Sequence, residues 1–403
     1  MKTKLGFSFI VLGWLLTACT PTRSAAIPSL AALNPEPLAT QTQAATASLF
    51  PTATETISLG YLEKAYDSFP IDIDPLTGLR VSDPAILNRR PVSVKISDFP
   101  RSNRPQWGLS LADIVYEYYH NNDLTRFHAI FYGHDASLAG QIRSGRLFDS
   151  YLMNIYQSLL VFASADQRVL DRFAHEHLPW QLFRELEGVC PPDPLCRYQP
   201  DTVNFLLTDT STIGKNAVLR GGENNRQDLH GMAFGQQVPT GGVSLNRISI
   251  YYSYSSYMYW GYDQASGCYL RFEDTQEDLS GRGEAYAPLI DQLTGKQVAA
   301  DNVVVLFVPH LHYFYSPATD TQPATEVVDM DFTGQGPAYA FRNGQAYEVH
   351  WVNEEGQLLY LVDANGERYP FKPGTTWFEV VNDDSTLTKS DGSWRFKFIF
   401  RRP

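Results

Sequence analysis

The stretch ADIVYEYYHNNDLTRFHAIFY, residues 112–132, decides the fold. ADIVYEYY and RFHAIFY are rich in β-branched and aromatic residues, and the polar break HNNDLT between them is short. Two such runs so close together predict a β-hairpin, hence an antiparallel pair. On the first strand Asp113, Val115, Glu117 and Tyr119 share one face. Asp113 and Glu117 then lie roughly 13 Å apart at about 3.3 Å per residue, too far for a glycosidase carboxylate pair.

Working outward, PVSVKIS (91–97) alternates Val92, Val94 and Ile96 with Ser93, Lys95 and Ser97, another strand. Downstream, SGRLFDSYLMNIYQSLL (144–160) repeats Leu147, Tyr151, Ile155 and Leu159 every four residues. This is an amphipathic helix, with Ser144 expected as its N-cap. LLVFAS reads as a buried strand, DQRVLDRFAHEH as a second helix and TVNFLLT as another strand. Interleaved strands and helices predict a mixed α/β layer domain over residues 70–235. From Val243 the pattern changes. RISIYYSYSSYMYW, NVVVLFVPHLHYFYS, QAYEVHWV and TTWFEVV are strand-like runs parted by Gly, Asn and Asp turns. An all-β domain, sandwich or barrel-like, is expected over 243–390, giving a mixed α+β chain.

The chain begins differently. Lys2 and Lys4 precede an apolar run from Leu5 to Leu16, too short to span a bilayer stably, and LTAC ends at Cys19. This reads as a lipoprotein signal peptide over residues 1–18. The expected product is lipidated at Cys19, anchored to the membrane and placed on its outer face. Residues 19–60 are Ala, Thr, Ser and Pro with hardly a charge, a composition that cannot offset the entropy of ordering and reads as a disordered tether. In an exported chain CPPDPLC predicts a disulfide between Cys190 and Cys196.

The 403 residues carry a formal charge of −12, and loss of Lys2 and Lys4 would take it to −14. So acidic a body disfavours nucleic acid as a partner. No phosphate loop, G-x-S-x-G elbow, H-E-x-x-H or G-x-G-x-x-G motif occurs, so no cofactor is expected and no catalytic residue is named. His175, His177, His310 and His312 are read as packing or surface histidines, since two without a third ligand make no metal site. No metal is expected.

GQIRSGR (140–146) carries Arg143 and Arg146 ahead of the expected helix. Forked guanidinium donors there suit a carboxylate or phosphate. The competing reading pairs each arginine internally with Asp113, Glu117 or Asp149, and the residues alone leave both open. Glu117 beside Arg126 or Arg143 is the economical arrangement on the hairpin.

RPVSVKISDFP, RPQWGLSLADIVYE, TRFHAIFYG and GQIRSGR, in this order, resemble the YerB-like family of bacterial exported lipoproteins, a domain of unknown function. The matching positions are Arg104, Pro105, Gln106, Gly108, Ala112, Asp113, Tyr116, Glu117, Thr125, Arg126, Arg143, Ser144 and Arg146. YWGYDQASGCYLRF, DQLTGKQVAADNVVVLF and DANGERYPFKPGTTWFEVV resemble the family's separate C-terminal domain. Gln141 stands where the family has Pro, and His230 is followed by Gly231 where the family has Asn. The resemblance implies an anchored two-domain envelope protein and supplies no reaction.

Three functions are weighed. One is binding of an anionic or glycan envelope component at a pocket of Arg143, Ser144, Arg146, Arg126 and Arg104, oriented by Glu117 and Asp113, with His230 nearby. A second is an envelope hydrolase or transferase using Glu117 or His230 as general base. The third is a structural scaffold that binds another protein.

Overall fold

The structure is a computed structural model and describes residues 67–185, 194–197, 205–280, 282–321 and 324–402. The hairpin forms where the sequence places it: β2 (Ile114–Asn121) pairs antiparallel with β3 (Leu124–Phe131), with Glu117 opposite Phe127 and Tyr118 opposite Arg126. Asn122 and Asp123 take positive φ at the turn, a conformation both types tolerate. Outside β3 lies β1 (Val92–Ser97), antiparallel, with Lys95 opposite His128 and Ser97 opposite Arg126.

The other edge of β2 receives the strand Thr376–Val381, in parallel. That strand continues to Asn302–Phe307, Gly334–Arg342 and Gln345–Asn353. Beyond β1 the sheet extends in parallel through Leu159–Phe162 and Leu182–Arg184. The segments expected as separate domains, 70–235 and 243–390, thus meet strand to strand in one mixed sheet, within one compact unit. A second sheet of Gly392–Lys397, Val243–Ser253, Ser256–Asp263 and Cys268–Asp274 covers one face.

Alternation along the strands sorts two cores. Val94, Ile96, Val115, Phe127 and Ala129 face the second sheet and pack with Ile248, Ile250, Trp260 and Trp377. Tyr116, Tyr118, Ile130, Val304 and Phe378 line the opposite face under the helix α1 (Leu147–Tyr156), which contributes Phe148, Leu152 and Tyr156. The molecule is therefore richer in β-structure than the expected α/β layer. Among the described residues its helices longer than a turn are α1, α2 (Gln167–Glu176) and α3 (Thr210–Leu219).

The N-cap assignment needs correction. Helix α1 starts at Leu147 and its N-cap is Arg146, not Ser144. Residues 142–145 stay outside the helix because their backbone groups are committed elsewhere. The Arg143 amide donates to the Lys95 carbonyl (2.9 Å), its carbonyl accepts from Ala163 (3.0 Å), and the Gly145 amide donates to the Ser164 carbonyl (2.8 Å). Asp149 then reaches back to the Arg146 amide (2.7 Å), the lower half of a capping box.

The signal peptide, Cys19, the tether and Cys190 lie outside the described residues. Cys196 lies on the short strand Leu195–Arg197. No helix among the described residues is long and apolar enough to cross a membrane.

Candidate functional site

The hairpin carries charge of opposite sign on its two faces. Under α1, cross-strand alignment brings Lys95, Tyr118, Arg126 and His128 to one side, the side that Asp149 enters from the helix. Lys95 is fully buried; its ammonium donates to Tyr118 and lies 3.4 Å from Asp149 Oδ1. Tyr118 donates to the same oxygen, and His128 Nδ1 lies 2.8 Å from it. Burial drives the Lys95 pKa down to about 7, more than Asp149 restores. Asp149 itself, despite the cost of burial, is held well below the usual carboxylate range by Lys95 and His128.

Arg126, Arg143 and Arg146 gather beside this network. Arg126 Nη1 donates to the Ser144 carbonyl (2.8 Å); Arg146 Nη1 donates to the Gly145 carbonyl (2.8 Å) and reaches that of Ser144 (3.3 Å). Arg146 Nη2 lies 3.3 Å from His120 Nδ1. Burial, then Arg126 and Arg146, hold that imidazole far below its ordinary pKa, so it is neutral and accepts. Arg143 Nε points at Ser97 Oγ (3.4 Å). Burial, then Arg146 and Arg143, also push the Arg126 pKa well down. Among the described residues, Arg126 and Arg146 form no ion pair within 4.0 Å, and Arg146 Nε is buried without an acceptor. A cavity of about 280 Å³ opens onto Ser144 and Arg146, with Asn121, Asp166, Thr325 and Glu326 around it. Its two carboxylates are already engaged: Asp166 with Arg168, and Glu326 with Tyr119 and the Asn122 amide.

Glu117 takes no part in this pocket, because alternation turns it to the opposite face. There it pairs with Arg271, which also binds Glu273 Oε2 (2.7 Å) and Glu379 Oε1 (2.9 Å). Trp260 Nε1 and Tyr252 donate to Glu379, and Thr125 donates to Glu117 (2.7 Å). Burial first, outweighing Arg271, raises the Glu117 pKa well above the carboxylate range. Arg104 belongs to the same acidic side, held by Asp98 (2.9 Å) and Asp274 (3.0 Å). Asp113 accepts from the amides of Tyr132 (2.6 Å) and Gly133 (2.9 Å) and from His134, anchoring the chain after β3. His230 sits on a loop beside Asp228, and its carbonyl accepts from Leu358.

The structure therefore brings together Arg126, Arg143, Ser144 and Arg146 of the expected set. It separates Glu117, Asp113, Arg104 and His230 from them. Sequence reasoning missed Lys95, Tyr118, His120 and His128, and offered Asp149 only as a partner for the arginines. The signal was present, since a lysine and two histidines interrupt strands otherwise destined for a core. Of the other histidines, His175 is exposed and His310 is buried, its Nδ1 bonded to the Val308 carbonyl (2.8 Å). His177 contacts Ser150, and His312 stacks on Phe400.

Residues 76–189 match the family model described as "Protein of unknown function (DUF3048) N-terminal domain", and residues 248–378 match the corresponding C-terminal domain. The Bacillus subtilis (strain 168) protein YerB, whose name assigns it provisionally to the lipoproteins, is 26% identical over 331 residues, 79% of this chain and 89% of its own. The crystal structure of Bacillus subtilis YerB is similar at a TM-score of 0.61 and 25% identity, covering 77% of this chain and 97% of that one. On the two matched domains, in this order and over this span, the chain belongs to the YerB-like family of DUF3048 proteins.

Proposed function

We propose that this protein is a lipoprotein anchored through Cys19 to the outer face of the membrane, where it binds an anionic group of the cell envelope. Arg126, Arg143 and Arg146 form the receptor. The observation that carries the reading is the convergence of Arg126 and Arg146 on the Ser144 carbonyl without an ion pair. Burial, then Arg146 and Arg143, depress the Arg126 pKa, and an anion entering the cavity beside Ser144 would relieve the repulsion among the three. Neutral His120 fixes Arg146 without neutralising it.

The hydrolase or transferase reading takes Glu117 or His230 as general base beside Arg143. Glu117 is occupied by Arg271 and Thr125 on the far side of the sheet, so it is no general base for a group bound at Arg143. The test is titration calorimetry with inorganic phosphate and with citrate, on the wild type and on an Arg143→Ala, Arg146→Ala variant that keeps its far-ultraviolet spectrum. Loss of at least tenfold in affinity is expected for the double variant. Undiminished binding by that variant, or no binding of either anion by the wild type, would sink the proposal.

A further inference from the structure

The acidic face of the hairpin holds a second candidate site, independent of the arginine pocket. Asp98, Glu117 and Glu273 are all buried, and each offers a carboxylate oxygen such that the three lie within 4.8 Å of one another. Three oxygens no farther apart than this lie within about 2.8 Å of a common point, so shifts of a few tenths of an ångström bring all three to the ~2.3–2.6 Å of Ca²⁺–oxygen bonds.

Two further observations point to a missing cation. Glu273 is 3% exposed, yet its Oε1 accepts no hydrogen bond. The arginine nitrogen paired with that oxygen, Arg104 Nη2, is 3.7 Å away and is bonded to Asp98 Oδ2 at 2.9 Å. A buried anionic oxygen without a donor costs free energy that a bound cation would offset. The charge count agrees. Five carboxylates, Asp98, Glu117, Glu273, Asp274 and Glu379, share three guanidinium groups, those of Arg101, Arg104 and Arg271. That leaves two carboxylates more than there are guanidinium groups.

We propose that Asp98, Glu117 and Glu273 bind a divalent cation, with Ca²⁺ as the best match to an all-oxygen site. The hydroxyls of Thr125 and Ser256, 3.0 Å apart and bonded into the cluster through Glu117, are available as neutral ligands. A cavity of about 390 Å³ lined by Arg104, Glu273 and Asp274 gives the ion a route from solvent. The ion would join β2 to the strand Cys268–Asp274 of the second sheet, so its effect is on stability.

The test uses EDTA-treated protein titrated with CaCl₂, MgCl₂ or MnCl₂, followed by calorimetry and thermal unfolding. We expect one Ca²⁺ per chain and a Tm rise of about 2–5 °C at saturating Ca²⁺. Glu273→Gln should cut the affinity at least tenfold. It should melt no lower than the metal-free wild type, because it removes one carboxylate from the excess and keeps the shape. If that variant does not fold, Asp98→Asn is read in the same way. Arg126→Gln should leave Ca²⁺ binding unchanged, which separates this site from the anion pocket. The proposal is overturned if the wild type shows neither heat nor a Tm shift with any of the three ions at about 10 mM, well above the ~10⁻³ M limit of weak extracellular calcium modules. Equal Ca²⁺ affinity in Glu273→Gln overturns it as well.

Discussion

The two faces of β2 and β3 are built from adjacent residues and have opposite electrostatic character. Glu117 faces an arginine that came from 154 positions away, and every guanidinium nitrogen of Arg271 has a carboxylate partner there. Arg126, opposite the neighbouring residue Tyr118, faces two more arginines and a backbone carbonyl. One face therefore carries its arginine as an internal structural element. On the other, among the described residues, Arg126 and Arg146 have no carboxylate within 4.0 Å. The difference teaches that a charged residue on a strand is interpretable only with its face, since a step of one residue changed scaffold into candidate receptor.

The largest expected effect comes from breaking the paired side. Arg271→Met leaves three carboxylates buried around an apolar side chain and should cost about 3–5 kcal/mol in urea unfolding. A loss under 1 kcal/mol would mean that the carboxylates are neutralised some other way. Next is Lys95, whose folded pKa of about 7 compares with about 10.4 in an unfolded chain. Below pH 7 both states hold the proton; between about 7 and 10.4 only the unfolded chain takes it up. Stability from this group therefore rises with pH through that window, by at most about 1.4 kcal/mol per unit. From pH 7 to 9 the wild type should gain about 2 kcal/mol relative to Lys95→Met, and parallel profiles would refute the assignment.

Arg126→Gln sharpens the contrast. It removes one hydrogen bond and one repelling charge, so its stability should stay within about 1 kcal/mol of the wild type. Its phosphate affinity should fall about tenfold, one ion-pair's worth of free energy. A stability loss approaching that of Arg271→Met would show the basic face to be scaffold too. The smallest effect is expected at His230, part-exposed on its loop. His230→Ala should change stability by less than about 0.5 kcal/mol and leave anion binding unaltered.

The strands were legible because their alternation is local. PVSVKIS, ADIVYEYY and RFHAIFY each show their period within a few residues, and each is a strand in the structure. The helix period of α1 was equally plain. Its start was misread because the bonds that keep residues 143–145 out of the helix come from Lys95, Ala163 and Ser164, none of which a cap pattern includes. The partner of Glu117 was hidden for the same reason. Arg271 lies on a strand of the second sheet, and nothing near Glu117 indicates which distant arginine will arrive. Two segments with different periodicities read as two domains, and two family models match them separately; their strand-to-strand pairing depends on edges that only the assembled sheet defines.

That pairing has a consequence for how the chain is made. Ile114 lies opposite Thr376, 262 residues later. A chain that emerges N-terminus first must deliver all of that interval before the partner strand is available. Throughout it, one rim of β2 has no neighbour, and bare strand rims are templates for aggregation. A chain shortened before residue 376 would keep that rim open permanently. Premature truncation should therefore yield aggregates rather than a smaller soluble protein, however complete its first half appears.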